Sequence, residues 1–215
     1  MIKAVLFDID GTLLDTEKQV IAGLQETLRE QKGFQVAAED LFYTLGIPGK
    51  QVVADFADSD SESDQLLQSW ESKMKTNFKD VQIFPGIIDL LEGLREKGLL
   101  LAIVTSKNKS EFVDEVTPFG LNSYFQAVIT ASDTLKHKPN PEPVLKGLDE
   151  LQVLAEQAIY VGDAVYDLRS GKAAGTKFAL ATWGAKFHSE FEQADYQLQH
   201  PQDLLQIITK ENSSN

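Results

Sequence analysis

There is no cysteine anywhere in the 215 residues, which excludes disulfides, thiolate metal sites and cysteine nucleophiles together. Basic residues are scarce as well: 20 Lys and Arg stand against 33 Asp and Glu, for a formal net charge of −13. Nucleic acid is therefore not an expected partner, because phosphate binding needs a local concentration of Lys and Arg that the chain shows nowhere. No apolar run reaches the roughly 18 residues of a membrane-spanning helix. Met1 leads straight into an apolar run without the pattern of a secretory signal, so the expectation is a cytoplasmic address and no membrane partner. Gly46-Ile47-Pro48-Gly49-Lys50-Gln51 has the wrong glycine spacing for a phosphate-binding loop and carries Gln51 where Ser or Thr is needed. The acidic stretch from Asp55 to Asp64 lacks the glycine turn and spaced terminal Glu of a calcium loop, and it reads as a solvated connection between helices.

What is present is ordinary globular usage, 42% apolar and 25% charged, in a chain long enough for one core plus a small second domain. Five short apolar runs (4–7, 100–104, 127–130, 158–161 and 178–181) are each followed by polar, turn-forming residues. Near-continuous runs of this length suit strands covered on both faces of a parallel sheet, and the helical patterns between them give the alternation of βαβ units. Ile87, Leu90, Leu91 and Leu94 repeat at helical spacing, with Gly98 placed as a stop. Asn140 is a candidate N-cap before Pro141, opening a helix whose apolar face is Val144, Leu145, Leu148 and Leu151. A further helix is expected from Val165 to Ala174, ended by Gly175. Between Thr16 and Phe84 the alternation breaks. Amphipathic patterns such as Val20, Leu24, Thr27, Leu28 and Leu66, Leu67, Trp70, Met74 replace it, with no buried strand. The prediction is an α/β fold: a three-layer parallel-sheet core of residues 1–15 and 85–215, and an inserted small helical domain of residues 16–84 hinged near Asp15 and Pro85. The tail from Lys210 to Asn215 is expected to fray.

The chemistry concentrates after the apolar runs. Leu6-Phe7-Asp8-Ile9-Asp10-Gly11-Thr12 places two acids two residues apart. In extended backbone residues i and i+2 point the same way, so Asp8 and Asp10 are expected to share one side of the strand end. Their like charges then need a cation, a proton or solvent. Ligands of open parallel sheets bind outside the carboxyl ends of the strands, where the sequence offers Asp8, Asp10 and Thr12, then Thr105 and Ser106, then Asp163 and Asp167, with His137 and Lys138 on a following loop. Hard oxygen donors of this kind suit Mg²⁺ beside a phosphate. A carboxylate is ionised at neutral pH without a helper base and attacks phosphorus once the phosphate charge is screened. Hydroxyls, amides and a lysine can hold the phosphate oxygens, and a second acid can protonate the leaving alcohol and later activate water.

Four separated motifs in this order resemble the haloacid dehalogenase superfamily of aspartate-nucleophile phosphatases: Asp8-Ile9-Asp10-Gly11-Thr12, Thr105 or Ser106 at a strand end, Lys138 before Pro139, and Gly162-Asp163 followed by Asp167. The resemblance implies a Rossmann-like core with a mobile helical cap. It also implies Asp8 as the nucleophile that becomes an aspartyl phosphate, and Asp10 as general acid and base. Mg²⁺ would be held by the Asp8 carboxylate, the Asp10 main-chain carbonyl and Asp163, with Asp167 behind them. Thr105 and the Ser106 amide would bind phosphate, and Lys138 would neutralise it. The stretches from His137 to Pro143 and from Ala174 to Lys177 look most like the phosphoglycolate phosphatase and pyrophosphatase branch. The implied substrate is a small phosphorylated metabolite, handled by a monomer or homodimer; phosphoglycolate, pyrophosphate and nucleotides stay open, as does a sugar-phosphate mutase on the same scaffold. Thr12, Lys50, Asn108 and His137 are the candidate substrate contacts, with Gly46, Pro48 and Lys50 expected to face the site from the inserted segment.

Overall fold

The computed structural model describes residues 1–78 and 81–213. Its strands are β1 (Ala4–Phe7), β2 (Leu14–Asp15), β3 (Gln82–Ile83), β4 (Leu100–Val104), β5 (Ala127–Ile129), β6 (Ala158–Gly162), β7 (Lys177–Ala181) and β8 (Tyr196–Leu198). The helices are α1 (Glu17–Lys32), α2 (Gly49–Ala54), α3 (Asp60–Asn77), α4 (Ile87–Glu96), α5 (Lys109–Glu115), α6 (Glu142–Leu151), α7 (Val165–Ala174) and α8 (Asp203–Ser213). Six strands form one parallel sheet in the order β5-β4-β1-β6-β7-β8. No helix among the described residues is long and apolar enough to cross a membrane.

Strand periodicity divides the core in two. Val5 and Phe7, with Leu101, Ile103, Ile159 and Val161, face a layer containing Ile87, Leu90, Leu91 and Leu94 of α4 and Leu204 and Ile208 of α8. Leu6, Ala102, Val104, Tyr160 and Phe178 face the opposite layer, with Val144, Leu148 and Leu151 of α6 and Leu168 of α7. Alternate residues of each strand thus serve opposite faces, as the pleat requires, and helices on both faces give the expected three layers. Burying each Leu or Ile contributes about 1.5–3 kcal/mol relative to leaving it exposed, so the sheet holds its shape against a buried charged cluster at one end.

A third apolar cluster lies apart from the sheet. Ile21, Leu24 and Leu28 of α1 pack with Val52 and Val53 of α2 and Leu66 and Trp70 of α3. The chain enters and leaves this helical segment through β2 and β3, which pair antiparallel as Leu14 with Ile83 and Asp15 with Gln82. Among the described residues this region holds no buried strand, as expected; β3 lies in it, but its two residues are exposed and half-buried and too short to carry a periodicity.

Other boundaries differ in instructive ways. The helix at 165–174 starts and stops as expected, with Gly175 left-handed at its end. Helix α6 begins one residue later than the Asn140-Pro141 signal indicates; the Asn140 Oδ1 still accepts the Glu142 amide at 3.0 Å, so the capping chemistry is kept. Leu145, assigned to the apolar face, is 47% exposed. The acidic stretch is not all loop, because Ser59 caps α3 and Asp60 and Glu62 occupy its first turn, where carboxylates face the positive end of the helix. The tail does not fray as expected up to Ser213: the Asn212 side chain accepts the Ile2 amide at 2.6 Å and donates to the Ile2 carbonyl at 3.1 Å. Residues 214 and 215 of that expectation lie outside the described residues. β8 was not anticipated at all, since Tyr196-Gln197-Leu198 presents one buried residue only.

The loop after β7 closes over the loop after β1. The Trp183 indole N–H donates to the Thr12 carbonyl at 3.0 Å, and a Cβ on Gly184 would stand 1.8 Å from the Gly11 carbonyl oxygen. Gly184→Ala is therefore expected to push the two loops apart. Overpacking of this kind costs about 1–3 kcal/mol, read as a fall in melting temperature of roughly 2–10 °C for a chain of this size.

Candidate active site

The centre of the sheet decides where the acids meet. β1 lies between β4 and β6, and its hydrogen bonding runs one residue past the strand, the Asp8 amide donating to the Val161 carbonyl at 2.9 Å. Beyond Asp8 the chain turns tightly: the Ile9 carbonyl accepts from the amides of Thr12, Leu13 and Leu14. The extended register therefore ends at Asp8, yet Asp8 and Asp10 both line the same cavity, and they differ in their cation partners. The Asp8 carboxylate meets Lys138 Nζ at 2.9 Å, whereas the Asp10 carboxylate meets Lys107 Nζ at 3.2 Å. Each acid has its own lysine.

Asp163 follows β6, and Asp167 sits in the first turn of α7. The Asp167 Oδ2 accepts the Ala164 amide at 3.1 Å, and its Oδ1 takes Lys138 Nζ at 2.6 Å. The Tyr160 hydroxyl lies 3.0 Å from the same Oδ1 and 3.2 Å from the Val104 carbonyl. The Thr12 hydroxyl donates to Asp163 Oδ1 at 3.1 Å. Gly11 is left-handed, at φ +75°, and a Cβ there would fall 2.0 Å from Asp163 Oδ2. Only glycine allows both the turn and the approach of Asp163.

Oxygens of Asp8, Asp163 and Asp167, all buried, lie within 4.8 Å of one another. Burial and the neighbouring Asp167 push the Asp8 carboxyl up to about 7, against the opposing pull of Lys138. Burial, with Asp167 and Asp8 nearby, also raises Asp163 well above the usual carboxylate range. Burial acts against the Lys138 charge, yet Asp167 and Asp8 outweigh it and hold the lysine above its ordinary value. With all three carboxylates ionised, the one ammonium would leave a buried excess of two negative charges. That excess and the hard oxygen donors match one divalent cation of the Mg²⁺ type.

The remaining candidates separate into those the structure brings to this centre and those it does not. The Ser106 side chain lines the cavity above Asp8, and its buried hydroxyl has no hydrogen-bond partner among the described residues. Thr105 is buried beside it, with its hydroxyl accepting the Lys107 amide at 3.1 Å. Thr12 supports Asp163 instead of facing a ligand. Asn108 caps α5, accepting the Glu111 amide at 3.0 Å. Lys50 points outward, is 67% exposed and pairs with Asp64 at 2.9 Å, although its neighbours Gly46 and Pro48 do line the cavity. His137 is exposed and lies outside the cavity lining.

Three residues at the centre were not anticipated. Lys107 bridges Asp10 and Glu115, the latter at 2.7 Å. Glu115 is 4% exposed; the signal for it was a charged residue on the stripe of Phe112 and Val116. Tyr160 was signalled by a hydroxyl within an otherwise aliphatic strand.

The sequence matches the family described as haloacid dehalogenase-like hydrolase across residues 5–181. The chain belongs to that family. It is 32% identical to Pyrophosphatase PpaX of Bacillus pumilus, the match covering 96% of each protein. It is 31% identical to the Phosphoglycolate phosphatase of Aquifex aeolicus, again over 96% of each. The crystal structure of a Lactobacillus plantarum protein superposes with a TM-score of 0.88 at 29% identity, covering 96% of this chain and 100% of that one. This haloacid dehalogenase-like hydrolase is an enzyme of the phosphatase type, and its Rossmann-like sheet is that of its relatives.

The raised Asp8 value makes the metal-free enzyme pH-sensitive. Below about 4 both native and unfolded chains hold this proton; from there up to about 7 only the native chain does, so stability falls as pH rises through that window. Urea denaturation in EDTA at pH 5 and pH 8 is expected to show wild type losing roughly 1–3 kcal/mol more than Asp8→Asn across the interval. Equal losses would mean that Asp8 holds no extra proton in the native state.

Proposed function

We propose that this phosphatase removes phosphate from a small phosphorylated metabolite in an Mg²⁺-dependent reaction, with Asp8 as nucleophile. The observation that carries the reading is the seat of Asp8, a buried carboxylate 2.9 Å from Lys138 and packed against Asp163 and Asp167. Asp8, Asp163 and the Asp10 main-chain carbonyl would hold the ion, with Asp167 behind them, and its charge would screen the phosphate from the attacking carboxylate.

An oxygen of Asp8 attacks phosphorus, forming the aspartyl phosphate as the ester P–O bond breaks. The departing alkoxide takes a proton from Asp10. Water then gives its proton back to Asp10 and attacks phosphorus, and the bond to Asp8 breaks to release inorganic phosphate. Lys138 and the Ser106 hydroxyl hold the phosphate oxygens, where fixed donors in a dry site are worth more than in water. Thr105 acts through the backbone it organises. Residues 16–84 serve as a cap, whose Val20, Leu67, Trp70 and Met74 wall lies over the acids and excludes bulk water during transfer. The relatives' names make pyrophosphate and phosphoglycolate the reference substrates for a first panel, with hexose phosphates included so that isomerisation without release would expose a mutase.

Asp8→Asn is expected to keep the fold and lose turnover entirely, while Asp10→Asn loses about 10²–10⁴-fold in kcat through the missing acid and base. Phosphate release assayed with Mg²⁺ and with EDTA checks both, and activity retained by Asp8→Asn would refute the nucleophile. Asp163→Asn removes a buried carboxylate that has a hydroxyl but no lysine. It is expected to raise the melting temperature in EDTA by roughly 2–6 °C and to abolish most of the rise that Mg²⁺ produces in wild type.

A further inference from the structure

We propose that the leaving group is a small alcohol with an apolar body that is uncharged or cationic, and that Glu71 enforces this choice by repelling anions; the inference rests on the phosphatase reading above. The cavity over Asp8 has a volume of about 180 Å³, below the roughly 300–1,000 Å³ of sites for drug-sized ligands. Its floor is polar and is built by Asp8, Asp10, Ser106, Lys107 and Asp163. Its opposite wall is apolar, with Val20, Leu45, Ile47, Leu67, Trp70 and Met74. A leaving group long enough to reach that wall meets aliphatic and indole surface.

The charges around it are mostly negative. Seven carboxylates and a single lysine, Lys107, line the cavity, and Lys107 is already spanned between Asp10 and Glu115. Glu17 is matched by Lys186 at 2.6 Å, and Glu111 accepts the Asn108 amide at 2.6 Å. Glu71, on α3, is half-buried and has no such match: Lys75, one turn on, pairs instead with Asp114 at 3.2 Å. Burial raises the Glu71 carboxyl, consistent with its poor solvation. Lys138 and a divalent ion serve the transferring phosphate, which leaves no lysine or arginine of the lining for a second phosphate or a carboxylate. A site can reject a competitor by like-charge repulsion as effectively as it attracts its own ligand.

The test compares kcat/KM for benzyl phosphate, 2-phosphoglycolate and pyrophosphate with Mg²⁺, in wild type, Glu71→Gln and Glu71→Lys. Benzyl phosphate and phosphoglycolate both release an alkoxide, so their ratio reports recognition of the leaving group. Wild type is expected to favour benzyl phosphate over each anionic probe by tenfold or more. Glu71→Lys is expected to shift the benzyl-to-phosphoglycolate ratio at least tenfold toward phosphoglycolate, with Glu71→Gln shifting it less in the same direction. A wild type that prefers pyrophosphate or phosphoglycolate overturns the inference and leaves the phosphatase reading standing. A ratio unmoved in both variants overturns the role of Glu71. Release from none of the three, with Mg²⁺ present and the fold intact, overturns the phosphatase reading and this inference with it.

Discussion

Three carboxylates crowded around one lysine, buried where the central strands end, are the constraint around which the rest is arranged. Asp8 and Asp167 share one lysine and Asp163 packs beside them without one, and like charges in a poorly solvated site raise the proton affinity of Asp8 and Asp163. No single element supplies this cluster. Asp8 comes from the end of β1, Asp163 from the end of β6, Asp167 from the first turn of α7 and Lys138 from the loop between β5 and α6. The strand order converts these distant positions into neighbours, because β1 and β6 are adjacent and parallel. The supporting details follow from the same need: Gly11 leaves room for Asp163, the Thr12 hydroxyl steadies it, and Tyr160 fixes Asp167 from within the sheet.

The surrounding core withstands this local cost because it is otherwise dry and well packed. β1 is buried along its whole length, and its side chains alternate between two helical layers without a polar interruption until Asp8. The crowded acids are concentrated at the carboxyl end of the central strands of a stable sheet, the arrangement expected where binding of a cation would offset their charge. The helical segment of α1, α2 and α3 has its own apolar cluster and is tied to the sheet through the short β2–β3 pair. Its Trp70 illustrates the division of labour: the ring lines the cavity, while its N–H is held by the Val20 carbonyl at 3.0 Å and offers a ligand only apolar surface.

Two cation pairings give the polar floor different characters. Lys138 is sealed between Asp8 and Asp167, so its charge is committed to the buried acids. Lys107 is held by buried Glu115 and reaches Asp10, whose side chain is 24% exposed. The Asp10 carboxylate is thus held at the cavity edge, within reach of water, while the Asp8 carboxylate, 3% exposed, is kept inside.

Much of this was legible in the sequence for a local reason. Strands buried on both faces must be continuously apolar, so four of the six sheet strands were visible as runs, with a fifth, Ala127–Ile129, one residue shorter than its run. Helix α7 was bounded by its own residues, and carboxylates placed straight after apolar runs marked the strand ends where a parallel sheet binds its ligands. Composition and spacing also pointed to hard oxygen chemistry, excluded thiol chemistry and made nucleic acid an unexpected partner. Orientation was not legible, because it depends on which partners the fold delivers. Asp8 and Asp10 line one cavity but take different lysines; Lys50 turns outward to Asp64; Thr12 and Asn108 are consumed by Asp163 and by the cap of α5. Glu115 and Glu71 lie on helices whose burial is decided by packing against elements far away in the chain. The sequence by itself determined the chemical inventory and its order along the strands; only the tertiary structure decided which acid meets which lysine and which residues of the helical segment line the cavity beside them, since those are distances between residues separated by up to about 150 positions.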